Sequence, residues 1–330
     1  MRVTQSMMTR QYLKNLNTNM NEMNKINNRI LSKRKFSKAS EDPVNAAKAL
    51  NVRRNLEKLN SYERNLKTAD SILSASETII MSLSKLTQNV KESTVEAVNG
   101  TNSQDEVDII ANQIFNFADE MVKQLNTDFA GRQLFGGTNN TEPPFKIEDE
   151  DGEKVLYFNG VKIDDVADIS DIPHVKDIYV DVGLGLQIGA DGEVDPQTAL
   201  KLSINGAEAT GYGVDEDGDP KNVVSLTLSI VNSLRAGDKD KALSLSSKLD
   251  EANSALLISI ADIGNRSEYI EFNLERIEAN RFNLLSEQND AESIDMAAEL
   301  IDYEVLQLAY NATLQMGASL IPPSIFDYIR

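Results

Sequence analysis

Apolar residues recur at alternating steps of three and four near the start of the chain. The series is Leu13, Leu16, Met20, Met23, Asn27 and Ile30. Such spacing predicts an amphipathic helix whose seam contains one polar residue, Asn27, that could fix the register of packing. The positions around the seam are rich in asparagine, a mediocre helix former. We therefore expect a helix that is marginal alone and forms mainly when packed.

A much longer helix is expected after Asp42, which can cap it, and Pro43, which suits its first position. Its apolar stripe continues to Asn99-Gly100, which is a helix stop signal. A single helix over residues 43–98 would be about 84 Å long, so the sequence predicts an elongated architecture. Ser103 to Glu106 then match a capping box and open a third helix.

The period changes to that of strands in the segment 145–220. Asn159-Gly160 stands between two β-type runs and predicts a two-residue hairpin. Further short strands are expected at 178–182, 184–188 and 200–204.

Helical spacing returns at residue 223 and, apart from a break at Gly237, continues to about residue 284. A last helix is expected to carry Ile294, Ala297, Ile301, Val305, Leu308 and Ala312 before Pro322-Pro323. The predicted helices cover about 60% of the chain, well above the usual third. The expected fold class is therefore mainly α with a β-rich insertion.

Charge is distributed unevenly along the chain. The net charge of −19 argues against general nucleic-acid binding. Residues 1–67 nevertheless carry 15 Lys and Arg against 5 Asp and Glu, whereas residues 145–220 carry 5 Lys against 19 Asp and Glu. Two readings stay open: a contact between the basic and acidic parts of different copies, or a solvated N-terminal face.

The sequence offers little for catalysis. Cysteine is absent and His174 is the single histidine, so thiol chemistry and His-rich zinc sites are excluded. His174 stands in the loop-like Ile172-Pro173-His174 and is expected to be a turn residue, not the base of a Ser-His-Asp triad. The glycines at 183, 185 and 189 are misspaced for a nucleotide loop. No apolar run reaches the length of a membrane span, and Met1–Ser6 lacks the apolar core of a cleaved signal peptide. We expect a non-enzymatic protein without a cofactor.

Two acidic turns are candidate calcium ligands. Asp215 to Asp219 resembles the start of a calcium loop, but its glycine stands at the fourth place and Leu226 occupies the position of the bidentate glutamate. Residues 149–152 stop short of a full loop. Ordinary Asp-Gly turns are therefore favoured, and calcium or glycan binding by residues 145–220 on a structural stalk is kept as an alternative.

Four short motifs resemble the bacterial flagellin family. They are Ser40–Ala47 (SEDPVNAA), Asn126–Gly137 (NTDFAGRQLFGG), Tyr310–Gly317 (YNATLQMG) and Pro323–Arg330 (PSIFDYIR). The resemblance covers residues 1–140 and 221–330. Met7-Met8, Pro43 and the absence of a Leu-Ser-Leu-Leu-Arg tail favour the hook-associated, junction-forming branch over filament flagellins. A short or minor filament flagellin is the alternative within the family.

The resemblance implies a secreted, extracellular structural subunit of the flagellum, built as a flagellin-like rod of long antiparallel helices. It implies a ring of identical copies between a hook-side junction protein and flagellin, type III export in the unfolded state, and an export chaperone on the C-terminal helices. It divides the chain into terminal coiled-coil helices (1–42 and 290–330), a long-helix domain (43–144 and 221–289) and an outer β domain (145–220).

The apolar faces of the terminal helices are the expected assembly interface. The residues are Leu13, Leu16, Met20, Met23, Ile30, Ile294, Ile301, Val305 and Leu308. Each could instead pack only within its own subunit.

Overall fold

The computed structural model describes residues 5–99, 102–139, 141–150, 152–190 and 192–320. Within them the helices are α1 (Gln5–Ser32), α2 (Pro43–Val98), α3 (Gln104–Leu125), α4 (Gly206–Thr210), α5 (Val223–Arg235), α6 (Lys239–Glu292) and α7 (Met296–Leu320). The predicted fold class, mainly α with a β-rich insertion, is confirmed. None of the helices in the described ranges is both long and apolar enough to cross a membrane.

The chain forms two compact units, each with residues from both halves of the sequence. One unit is Met1–Lys58 with Glu278–Arg330, and the other is Leu59–Ile277. The first contains α1, α7, the start of α2 and the end of α6. The division into three domains expected from the sequence remains a prediction.

In the core of the second unit, the buried residues of the long helices recur every seven positions. On α2 the fully buried series includes Leu66, Leu73 and Ile80, and on α6 it runs Leu249, Leu256, Ile263, Ile270 and Ile277. A seven-residue repeat keeps one seam of each helix toward its neighbours, as in coiled coils. The periodicity noted in the sequence therefore describes this core well.

Local start signals fix where the helices begin. Pro43 is the first residue of α2, and the Asp42 carboxylate accepts a hydrogen bond from the Asn45 N–H at 3.0 Å. Ser103 and Glu106 form the predicted capping box at the start of α3. These caps satisfy N–H groups that have no partner within the helix.

The described residues contain three small antiparallel sheets, of which the second and third lie in the insertion. Their strands are β1 (Asp128–Phe129) with β2 (Arg132–Gln133), β3 (Phe145–Glu150) with β4 (Glu153–Phe158) and β5 (Val161–Lys162), and β6 (Tyr179–Val180) with β7 (Leu200–Lys201). Asn159 and Gly160 have φ of +49° and +82° between paired Phe158 and Val161. Positive φ at both positions is what a two-residue turn of type I′ requires, so the predicted hairpin is confirmed.

The other strands predicted in the insertion are shorter in the structure or absent from its described residues. The strands expected at 178–182 and 200–204 are each two residues long, and 184–188 forms only an isolated bridge between Ile188 and Val194. Gly183 and Gly185 both have positive φ, a backbone shape that interrupts a strand.

The motif Asn126–Gly137 joins α3 to the insertion. The Asn126 side chain donates to the carbonyl of Phe145 at 2.8 Å and accepts from its N–H at 2.9 Å. Phe145 is itself buried and its ring centroid lies 4.6 Å from that of Phe158. The motif therefore holds the first strand of the insertion at the C-terminal end of α3.

Candidate assembly surface

Helices α1 and α7 pack as an antiparallel pair along a seam of half-buried residues. The seam contains Tyr12, Leu16, Asn19, Met23, Ile26 and Ile30 on α1, and Met296, Glu299, Tyr303, Leu306, Tyr310, Thr313 and Gly317 on α7. Both series alternate steps of three and four, which is the spacing of a coiled-coil seam. The two terminal helices therefore partner each other within one chain.

Three contacts define the register of this pair. The Asn19 amide lies 3.4 Å from the Thr313 hydroxyl, and Arg29 lies 3.5 Å from the Glu299 carboxylate. At the other end Gly317 faces Tyr12, and a Cβ added to the glycine would meet the tyrosine oxygen at 2.1 Å. The absence of a side chain at 317 thus lets the Tyr12 ring lie directly against α7.

The residues predicted on α1 divide between two faces. Leu16, Met23 and Ile30 are half-buried in the seam with α7. Leu13 and Met20 point away from it and are 48% and 47% exposed. The apolar series in the sequence thus combined residues of the seam with residues of the outward face.

The residues predicted on α7 lie on the face that α1 leaves uncovered. Ile301, Val305 and Leu308 are 62%, 60% and 74% exposed and follow one another at steps of four and three. We call these three residues the outer stripe. The stripe does not face the predicted α1 residues within one chain, so any partner for it must come from elsewhere.

Ile294 does not belong to the last helix. It is half-buried in the linker between α6 and α7, and Asp295 caps α7 by accepting from the Ala297 N–H at 2.9 Å. The cap places the start of the helix at Met296, two residues later than the apolar pattern suggested. The signals Asp295 and the following Met-Ala-Ala could have located this start.

Sequence reasoning also missed the inward stripe of α7. Tyr303, Leu306 and Tyr310 carry the same spacing as the outer stripe but are turned toward α1. A helix with two apolar faces needs cover on both sides. The second face was visible in the sequence, but the pattern alone does not say which face meets which partner.

The motif Ser40–Ala47 builds the linker that leads from α1 into α2. The Glu41 carboxylate accepts from the Ser37 N–H at 2.8 Å, and this bond lowers the pKa of Glu41. The Asn45 N–H likewise lowers the pKa of Asp42. Ala46 is buried. In this chain the motif therefore forms a turn and a helix cap.

The acidic turn of the insertion is closed by a lysine. The Lys248 Nζ on α6 lies 2.6, 2.9 and 2.7 Å from the carboxylates of Asp215, Asp217 and Asp219. These hydrogen bonds, first that to Asp215, raise the pKa of Lys248. The three carboxylates are one group that could hold a metal ion, but the ammonium already bridges them, which favours the interpretation as an Asp-Gly turn.

His174 contributes through its backbone. Its carbonyl accepts from the Thr138 N–H at 2.8 Å and from the Thr138 hydroxyl at 3.2 Å. A Cβ at Gly137 would lie 2.2 Å from the same oxygen. The histidine thus holds the end of the Asn126–Gly137 motif against the insertion.

Two of the four sequence motifs come from the C-terminal part of the chain, Tyr310–Gly317 and Pro323–Arg330. The first lies on α7 and supplies Thr313 and Gly317 to the seam. The second, together with Pro322-Pro323 and Met1–Thr4, lies outside the described residues, as does Gly100 at the predicted end of α2.

The sequence is similar to those of known flagellar proteins. Residues 3–140 match the bacterial flagellin N-terminal helical region. The chain is 23% identical over 342 residues to flagellar hook-associated protein 3 of Escherichia coli, an alignment that covers 99% of each chain. It is 28% identical over 226 residues to polar flagellin C of Vibrio parahaemolyticus, covering 68% of this chain and 54% of the flagellin.

Solved structures show the same fold. A flagellar hook-associated protein from Vibrio parahaemolyticus superposes with a TM-score of 0.60 at 17% identity and covers 77% of this chain and 100% of its own. FlgL of Xanthomonas campestris superposes with a TM-score of 0.52 at 16% identity, covering 71% and 98%. Residues 3–140 thus match the flagellin N-terminal helical region, and the chain as a whole is similar in sequence to a flagellar hook-associated protein and shares the fold of solved hook-associated structures.

Proposed function

We propose that this chain is a structural subunit of the bacterial flagellum that connects the hook to the filament. It works without catalysis, as a ring of identical copies between a hook-side junction protein and flagellin. The relative that spans the whole chain is itself a hook-associated protein. The site of action is the flagellum, outside the cell.

The outer stripe is the observation that carries the proposal. Ile301, Val305 and Leu308 are more than half exposed in the single chain. Fully burying an aliphatic side chain of this size contributes about 1.5–3 kcal/mol. Three such residues on one helix face supply a strong drive toward association, and neighbouring copies are the occupant we assign to them.

Delivery to the site follows from the weakness of the terminal helices. No described residue of α1 is fully buried, so this helix gains little from the rest of its own chain. We infer export through the flagellar type III system in the unfolded state, with a chaperone that covers the C-terminal helices until assembly. The terminal pair then completes its burial against neighbours.

The test is a double variant of the outer stripe, Val305→Asp with Leu308→Asp, in the full chain. We expect the melting temperature of the isolated subunit to stay close to that of the wild type, because both residues are exposed. Junction assembly should be lost in cells that depend on the variant, seen as absent filaments. Gln307→Asp with Asn311→Asp is the matched control, since it adds the same two negative charges at exposed positions of the same helix. Normal filaments in the double variant would refute the proposal.

A second test separates the proposal from a short or minor flagellin. A junction subunit should not elongate purified filament seeds alone, whereas a flagellin should. Extension of the seeds by this chain would replace the junction function with a filament function.

A calcium- or glycan-binding stalk makes a different prediction. Calorimetry of the full chain with calcium, and binding to a glycan panel, would give heat or signal. Lys248 already bridges the acidic turn, so we expect neither.

A further inference from the structure

Glu292, the last residue of α6, carries a carboxylate that is almost fully enclosed. The residue is 6% exposed. The Arg53 guanidinium on α2 approaches its two oxygens at 2.6 and 2.7 Å, and the Arg34 Nε lies 3.9 Å away. All three residues belong to the unit that contains α1 and α7.

The backbone around Glu292 joins the two linkers that lead to the terminal helices. The Lys35 N–H donates to the Glu292 carbonyl at 2.7 Å, and Arg34 pairs with Ser293 in an isolated antiparallel bridge. The Lys35 Nζ also lies 2.6 Å from the Asp290 carbonyl. The exit from α1 and the entry to α7 are therefore bound to each other at this point.

The position of the carboxylate is costly for the helix itself. A negative charge at a helix C-terminus opposes the helix dipole, and burial of an unpaired carboxylate is strongly unfavourable. A buried ion pair adds little net stability compared with apolar residues, but it demands one geometry. The arrangement is thus better suited to fix a position than to add stability.

We propose that Glu292 is a positioning residue for assembly: through Arg53 it holds the end of α6 against α2, beside the backbone contacts that join the two linkers, and so sets the direction in which α1 and α7 leave the long helices. The outer stripe is then presented in one orientation. This inference rests on the proposed function for its purpose, but its geometry can be tested on the monomer alone.

The monomer test uses the absence of cysteine in the chain. Spin labels at Asn17→Cys on α1 and Ala47→Cys on α2, both exposed, report the distance distribution between the helices. Glu292→Gln should broaden the distribution about twofold, because the charge that fixes Arg53 is gone while the shape is retained. Glu287→Gln is the matched control: it lies on the same helix and pairs with Lys48 at 3.5 Å, but the Glu287 side chain is 43% exposed, whereas that of Glu292 is 7% exposed.

A second variant covers the case in which Glu292→Gln does not fold. Arg53→Met removes the partner from a side chain that is 43% exposed, and it should broaden the distances in the same way. The double variant should broaden the distance distribution no more than either single variant, since each of the three variants removes the same ion pair. Unchanged distance distributions in both single variants would overturn the proposal.

The assembly test keeps the two inferences apart. Junction incorporation of Glu292→Gln should fall about tenfold if only a tenth of the subunits present the stripe correctly, while Glu287→Gln stays at the wild-type level. Failure of the wild type to incorporate would refute the proposed function alone. Normal incorporation of wild type and Glu292→Gln alike would refute the positioning role alone.

Discussion

Two helix pairs of this molecule, α3 with α5 and α1 with α7, differ in how far their apolar faces are buried. On α3, Val107, Ala111, Ile114, Ala118 and Met121 are all fully buried, and the α5 helix that packs on it is buried along most of its length. Of the described side chains of α7, Gly317 alone is buried, and none of those described on α1 is. The first pair completes its core within the chain, whereas the second leaves large apolar side chains such as Ile301 and Leu308 exposed.

The difference separates apolar surface that stabilises the isolated subunit from apolar surface that stays available to a partner. Apolar area that is removed from water within the chain stabilises the subunit on its own. Apolar area that stays exposed on α7 can contribute only when another surface covers it. Substitutions in the two pairs should therefore change different measurements.

The largest effect is expected in the buried pair, from Ile114→Ala on α3. Ile114 is fully buried, so the change leaves a cavity and should cost about 2–5 kcal/mol in the free energy of unfolding. Denaturant unfolding of the isolated subunit measures it. A loss no greater than that of an exposed position would remove the distinction between the two pairs.

The next effect concerns a carboxyl group enclosed beside α5. Burial, partly offset by the Ser225 hydroxyl, raises the pKa of Asp164 to about 6 from an ordinary 3.8. Since the folded state binds the proton more tightly, this group lowers the stability of the wild type as pH rises from about 4 to about 6. Asp164→Asn should therefore gain up to about 3 kcal/mol above pH 7 and almost nothing at pH 4.

Unfolding curves of Asp164→Asn and wild type across this pH range give the difference directly. Asp165→Asn is the matched control, because Asp165 is the next residue in the chain and its own side chain is exposed. A constant difference at every pH would mean that Asp164 does not titrate in the folded protein near 6.

A smaller effect is expected in the terminal pair, from Gly317→Ala. Alanine improves helix propensity by about 1 kcal/mol, but its Cβ would overlap the Tyr12 ring, and overpacking costs about 1–3 kcal/mol. We expect the cost of the overlap to exceed the gain in helix propensity, so that amide hydrogen exchange in α1 becomes faster. Gly264→Ala on α6 is the control, because nothing lies within 4 Å of its added Cβ; it should stabilise. Equal exchange in both variants would show that the seam tolerates a larger residue.

The smallest effect on stability belongs to Val305→Ala in the outer stripe. Val305 is 60% exposed, so the free energy of unfolding should change by no more than about 0.5 kcal/mol. Thermal unfolding of the isolated subunit tests this. A loss as large as that of Ile114→Ala would show that the stripe is already covered within the chain.

The parts of the fold that depend on local signals were predictable. Pro43, the Ser103 capping box and the Asn159-Gly160 turn each act through neighbouring residues, so the sequence alone located them. The seven-residue repeats of α2 and α6 were also visible, because burial on one side of a helix leaves a periodic trace.

The parts that depend on distant residues were not predictable. Lys248 meets the acidic turn only because α6 passes beside the insertion, and nothing in the spacing of the three aspartates names that lysine. The same holds for Glu292, whose partner Arg53 lies 239 positions away in the sequence. On α7 the pattern showed apolar residues but could not assign them to an inner or an outer face.

The contact between Tyr12 and Gly317 joins nearly the two ends of the chain. Contacts of such large sequence separation require closure of a very long loop, which makes them slow to form unless the intervening chain has already folded. The terminal pair should consequently be the last part of the subunit to become ordered. The outer stripe lies on this late-forming pair, so under the proposed function the side chains that meet other copies would take up their final arrangement only after the rest of the molecule has folded.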